Sequence, residues 1–346
     1  MKETVATPKR SFWKRLFLSP QEARLRAGWR LAIQTILMLA IMIGLGIPLL
    51  LLALALHWNM GGSLYFTLGI LIELVAITTS IFLARRFLDR RSFASLGLKL
   101  DRAAFPDLLA GIGISFILMG LIYLAMSRLG WIHFNGFAWQ FDPLPVVMGQ
   151  TLLYLLIFII TGWQEELLMR GYHLQTLSSG LNLFWGVLIS SAIFGALHLS
   201  NPDATWISAV GIFFAGLFLA LGYLCTGQLW LSIGLHIGWN FFEGVVFGFP
   251  VSGTASYPLL RIHISGPGLW TGAAFGPEAG LIVLPVLLIG ALLISLYARW
   301  HLHSLPPGSP PFNEQNQSVH RKPTSGTAKS ASDCQSGLRK TSLQKK

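Results

Sequence analysis

Hydrophobic positions in this chain fall in long unbroken runs, with neither the alternation of a half-buried strand nor the striping of a surface helix. Eight runs follow one another, at residues 31–56, 64–83, 108–129, 146 to about 177, 181–199, 205–224, 229–247 and 281–298. A helix needs on the order of 20 apolar residues to cross the hydrocarbon core of a bilayer. Lipid leaves backbone groups no water to bond to, so a spanning segment is either a helix or part of a closed barrel. Runs without alternation read as helices, and the pattern predicts an all-α polytopic membrane protein with about eight transmembrane helices. The first run ends without a small-residue cleavage site and reads as a retained span, not a signal peptide. Between the seventh and eighth runs, residues 248–280 are rich in Gly, Pro and Ser and read as one long loop. The chain thus divides into an N-terminal arm, 1–30, a membrane domain, 31–300, and a Ser/Gln/Lys-rich tail, 301–346, expected to be disordered. No internal repeat of the inverted-transporter kind is visible.

Composition agrees with this reading. The chain is 53% apolar and 11% charged, with a mean hydropathy of +0.61. A soluble domain carries about 25% charged residues. The net charge of +11 would point to nucleic acid in a soluble protein. Here the basic residues lie between and outside the apolar runs. With the N-terminus in the cytoplasm, 23 of the 25 Lys and Arg residues fall on the cytoplasmic side, with Arg128 and Arg261 outside. That is the positive-inside pattern with an even number of spans. It predicts cytoplasmic N- and C-termini, anionic-lipid contact at the cytoplasmic face, multi-pass residence in the cell membrane, and no nucleic-acid partner. In the arm, Phe12, Trp13, Leu16 and Phe17 form either an apolar stripe in the headgroup plane or part of a disordered segment. Cys225 and Cys334 suggest neither a disulfide nor a cysteine metal site.

The chemistry concentrates in 146–247. Two adjacent carboxylates, Glu165 and Glu166, follow directly on an apolar run, and Arg170 comes four residues after the second. An ionisable side chain in mid-membrane costs about 2.5–3.5 kcal/mol on insertion scales, so it needs a partner, a wet cavity or a task. Successive helical residues point about 100° apart. Glu166 can therefore pair with Arg170 one turn on, leaving Glu165 to serve another helix. His198 ends the fifth run, one turn after Phe194. His236, Asn240 and Glu243 share one face of the seventh. At 1.5 Å per residue, Glu165, His198 and His236 lie about 18, 25 and 11 Å above the inner ends of their helices, which allows a shared site.

Glu165, His198 and His236 together are a ligand set for a catalytic Zn2+ that keeps one position open for water. Such a metal would lower the water's pKa and polarise a carbonyl. A neighbouring carboxylate could then act as general base, and Asn240 could orient a ligand or donate to an oxyanion. In a metal-free version Glu165 activates water itself, while His198, His236 and Asn240 stabilise charge. Taken singly, each residue has a plainer reading: a structural acid pair, a packing histidine, an interhelical amide. Glu73 in the second run reads as a structural pair or a proton relay, and His173 as a helix-end histidine.

Glu165-Glu166-xxx-Arg170, Phe194-xxx-His198 and His236-xxx-Asn240 resemble the three motifs of the CPBP intramembrane endopeptidases. That family includes the type II CAAX prenyl proteases and the Abi proteins. Phe93-Ala94-Ser95-Leu96-Gly97-Leu98 is similar to a segment often found upstream in them. The resemblance implies hydrolysis of a peptide bond in a membrane-presented, lipid-modified or CAAX-like protein or peptide. It makes Glu165 the water-activating residue, with Glu166 paired or supporting, and His198, His236 and Asn240 completing the centre. Arg170 and Phe194 would support it, and Zn2+ is implied as the metal if one is bound. Two other classes stay open: a non-catalytic scaffold or immunity factor of the same fold, and a proton-coupled transporter. The C-terminal residues lack a CAAX cysteine, so the chain is not itself a prenylation substrate.

Overall fold

The computed structural model describes residues 11–19 and 24–304, and these belong to the unit Met1–Ser304. The first ten residues of the basic arm and the tail from 305 lie outside the described residues. Seven helices are long and apolar enough to cross a membrane: Ala27–Ala55, Ser63–Leu88, Ala104–Arg128, Leu144–Gly180, Leu183–Ser200, Trp206–Thr226 and Val283–Trp300. The helical class predicted from the runs is therefore what the chain adopts. Before them comes a short helix, α1 (Phe12–Phe17), on which Phe12 and Trp13 are exposed and Phe17 rests 5.1 Å from Trp29.

The spanning elements are α2 (Ala27–Ala55), α3 (Ser63–Leu83), α4 (Ala104–Arg128), α5 (Leu144–Glu166), α6 (Gln175–Gly180), α7 (Leu183–Leu197), α8 (Trp206–Thr226), α9 (Trp230–Asn240) and α11 (Val283–Ser304). A π-helical segment, Leu167–Leu174, joins α5 to α6 without a break. The run at 229–247 differs from its neighbours. It holds eleven residues of α-helix and six of π-helix, Phe241–Val246, and from Leu231 to Asn240 every residue is buried. That is about 25 Å of helix, short for a bilayer, but it is sheathed by α4, α5 and α8 and meets little lipid.

Close approach is what buries α9. A methyl group on Gly234 would collide with the Leu108 carbonyl, and one on Gly111 with the backbone of Leu231. With no hydrophobic force between helices in lipid, such small-residue contacts and interhelical hydrogen bonds hold the bundle. Ser115 Oγ donates to the Leu235 carbonyl at 2.7 Å, and Ser232 Oγ to that of Leu219 at 2.8 Å.

Two features were not foreseen in the sequence. The loops after α4 and after α9 pair as an antiparallel ribbon, β1 (Ile132–Phe137) with β2 (Leu260–Ile264), bulged between Phe134 and Gly136. The stretch read as a long loop thus holds a strand, a single helical turn, α10 (Gly268–Thr271), and a 3-10 turn, Pro277–Ala279. The basic loop after α3 also does more than mark topology. Arg24, Arg30 and Arg85 all converge on Asp89, at 3.2 Å for Arg24 and Arg85, and all four side chains are buried. Arg30 further donates to Ser179 at 2.7 Å, and Arg85 to Ser95 Oγ at 2.9 Å. Asp89 therefore ties the start of α2 and the end of α3 together, and through its arginines reaches α6 and the loop at Ser95.

Candidate active site

Glu166 sits at the last residue of α5, where the helix widens into its π-helical segment. Such insertions often mark functional sites. Glu166 is fully buried, and Arg170 Nη1 donates to its Oε1 at 2.7 Å, the pairing expected from the spacing. The other guanidinium nitrogen donates to the Gly216 carbonyl at 2.9 Å, and the group stacks 4.5 Å over the Phe194 ring. This gives the buried cation a carboxylate, a carbonyl and a π-face.

His236 arrives from α9 between the two acids. Its Nδ1 lies 2.8 Å from Glu166 Oε1 and its Nε2 3.7 Å from Glu165 Oε2. An ionised carboxylate only accepts, so Nδ1 carries the proton toward Glu166 and Nε2 is turned toward Glu165. Glu166 thus fixes the ring's orientation, a partnership that sequence spacing alone does not disclose.

His198 closes α7. Its Nδ1 stands 2.8 Å from the Phe194 carbonyl, one turn back. A carbonyl cannot donate, so Nδ1 is protonated, and in a neutral imidazole that makes Nε2 the acceptor. Phe194 holds both imidazoles edge-to-face, with ring centres 4.7 Å from His198 and 6.1 Å from His236.

Glu165, His198, His236 and Asn240 line one cavity of about 460 Å3. The four predicted groups, from three helices, therefore share a single space. Glu166, Arg170 and Phe194 support it: Phe194 lines the cavity, and the other two lie behind it. Glu243, though on the His236 face, is fully buried away from the lining. His173 also lies elsewhere, 3.4 Å from Gln34.

The cavity holds two carboxylates that the motifs do not include. Glu73 reaches it from α3. Glu278 reaches it from the 3-10 turn, where Trp239 Nε1 donates to Oε1 at 3.1 Å and Ser252 Oγ donates to Oε2. Burial holds the Glu278 carboxyl above the usual carboxylate range. The turn packs so closely on α8 that a methyl on Gly211 would strike the Glu278 carbonyl. A lone acid among glycines, Gly276-Pro277-Glu278-Ala279-Gly280, was the only trace of it in the sequence.

The implied metal can be tested against these donors. Among the described residues no three His, Cys, Asp or Glu side chains are grouped so as to hold an ion. Glu165 and His236 approach each other, but His198 does not complete a set with them. In this arrangement the described residues do not fit a bound Zn2+.

No curated protein and no solved structure matches the chain. A family model does, that of the Rce1-like Type II CAAX prenyl endopeptidases, over residues 147–242 of 346. The matched segment contains both acids, both histidines, Phe194, Arg170 and Asn240, that is, every motif residue brought together around the cavity. By this match, segment 147–242 is similar to the CPBP/CAAX protease family.

Proposed function

We propose that this chain is an intramembrane endopeptidase that hydrolyses a peptide bond with water activated by Glu165. The observation that carries the reading is the convergence of Glu165, His198, His236 and Asn240 on one cavity. The family match supports CAAX-type proteolysis at the family level.

Two acceptors are present for the two protons of one water: a Glu165 oxygen and His198 Nε2. Glu165 removes a proton as the water oxygen attacks the scissile carbonyl, and later returns it to the leaving amine. Asn240 donates to the developing oxyanion. His236, held by Glu166 and turned to Glu165, shares a proton with the base and keeps it aimed. Arg170 offsets the Glu166 charge, so this buried acid does not repel the base. The substrate is a protein or peptide presented at the membrane, lipid-modified or CAAX-like. The enzyme resides in the cell membrane with both termini in the cytoplasm, where its basic loops meet anionic lipid. The bias of Lys and Arg toward one side supports that orientation.

The test is cleavage of a membrane-anchored peptide library by purified protein in liposomes. The wild type should cleave, and Glu165→Gln should lose about 10²–10⁴-fold, the range for a general base. Undiminished cleavage by Glu165→Gln would overturn the reading. A parallel sample treated with chelator distinguishes direct activation by Glu165, which survives, from a metal-bound water, which does not.

A further inference from the structure

Three carboxylates face the cavity, Glu73, Glu165 and Glu278, and no Lys or Arg lines it among the described residues. The three are not equivalent. Glu278 receives donors on both oxygens, from Trp239 and Ser252. Glu165 stands against His236. Glu73 lies mid-way along α3, between Ile72 and Leu74, and receives one neutral donor, Gln164 Nε2, on Oε2 at 2.9 Å. Among the described residues its Oε1 accepts no hydrogen bond and no cation pairs with it. Gln164 is itself only 2% exposed, lines the same cavity, and has its carbonyl oxygen Oε1 enclosed without a donor. This corner of the site is therefore short of both donors and positive charge.

A carboxylate at mid-membrane calls for a partner or a task. A neutral amide holds it in place but supplies no positive charge. What this corner lacks is supplied by an ammonium or guanidinium group, which carries several N–H donors and one positive charge. Gln164 immediately precedes Glu165, so such a group would bind close to the base. Resting on the endopeptidase reading above, we propose that Glu73, positioned by Gln164, is a specificity residue that receives the side chain of a Lys or Arg flanking the scissile bond of the substrate.

The experiment uses two membrane-anchored peptides that differ only in Lys or Leu beside the cleaved bond, with wild-type, Glu73→Gln and Glu73→Asp protein in liposomes. A charge-assisted pair is worth about tenfold to a hundredfold in affinity. The wild type should prefer the Lys peptide by that factor, through KM and not kcat. Glu73→Gln should bring the ratio to about one by raising KM for the Lys peptide alone, and Glu73→Asp should restore part of the preference. No Lys preference in the wild type, or one unchanged by Glu73→Gln, overturns the proposal. Should Glu73→Gln fail to fold, Glu73→Asp and the wild-type peptide ratio carry the same decision.

A second arm separates this proposal from the reading it rests on. Binding of fluorescent Lys peptide is measured to Glu165→Gln protein with and without Glu73→Gln. Weakened binding on loss of Glu73, with cleavage by no variant, keeps the cation site and ends the hydrolytic reading. Equal binding ends the cation site whatever the cleavage.

Discussion

Two polar clusters lie inside an otherwise apolar bundle, and they are built on opposite plans. At Asp89 three guanidiniums surround one carboxylate, every side chain is buried, and the arginines reach on to Ser95 and Ser179. At the cavity three carboxylates face open space, no Lys or Arg lines it among the described residues, and groups such as Glu165 Oε2 lack a hydrogen bond there. The first cluster is closed and excludes water, so what it can do is join helices. The second is open and short of donors, so it can accept a water, a peptide or a cation. Sign of charge and access to open space, more than the presence of charge, separate the structural knot from the candidate site in this chain.

Substitutions should break the comparison cleanly. The largest effect is on chemistry: Glu165→Gln should cut cleavage about 10²–10⁴-fold while thermal unfolding in detergent stays at the wild-type temperature. Removing the central acid of the other cluster should do the reverse. Asp89→Ala leaves three buried guanidiniums around an empty place and should destabilise the protein by about 3–5 kcal/mol in a denaturant titration. Activity per folded molecule should be retained. A smaller loss is expected where neither cluster is touched but α9 is pushed from its sheath. Gly234→Ala drives a methyl into the Leu108 carbonyl and should cost about 1–3 kcal/mol. It should also lower cleavage, because α9 carries His236 and Asn240. The smallest is Ser115→Ala, which removes one interhelical hydrogen bond and should cost about 0.6 kcal/mol by the same titration. Loss of activity on Asp89→Ala at unchanged stability would show that the two clusters are coupled, and the distinction drawn above would fail.

Much of this was written in the sequence, because lipid makes a few rules strict. Charge-poor runs of spanning length marked the helices to within a few residues. The i, i+4 spacing marked the pair Glu166–Arg170, and motif order marked the residues that line the cavity. What stayed hidden depends on contacts far apart in the chain. The ribbon joins residues more than a hundred positions apart, and nothing local in either strand names its partner. Asp89 lay in a loop whose arginines read as topology, since a row of basic residues looks the same whether it faces lipid or one buried acid. Glu278 came from a Gly- and Pro-rich stretch, where periodicity carries no information. The hold of Glu166 on His236 needed the packing of α9 against α5, which no spacing within one helix encodes.

Phe194 touches the Arg170 guanidinium on one side and both imidazoles along its edges. A single hydrocarbon ring thereby packs against two imidazoles and a cation at once. A tilt of α7 therefore moves Phe194 and His198 together relative to His236 on α9 and to the Arg170 guanidinium. The mutual placing of two imidazoles and a guanidinium is consequently geared to the pose of one helix.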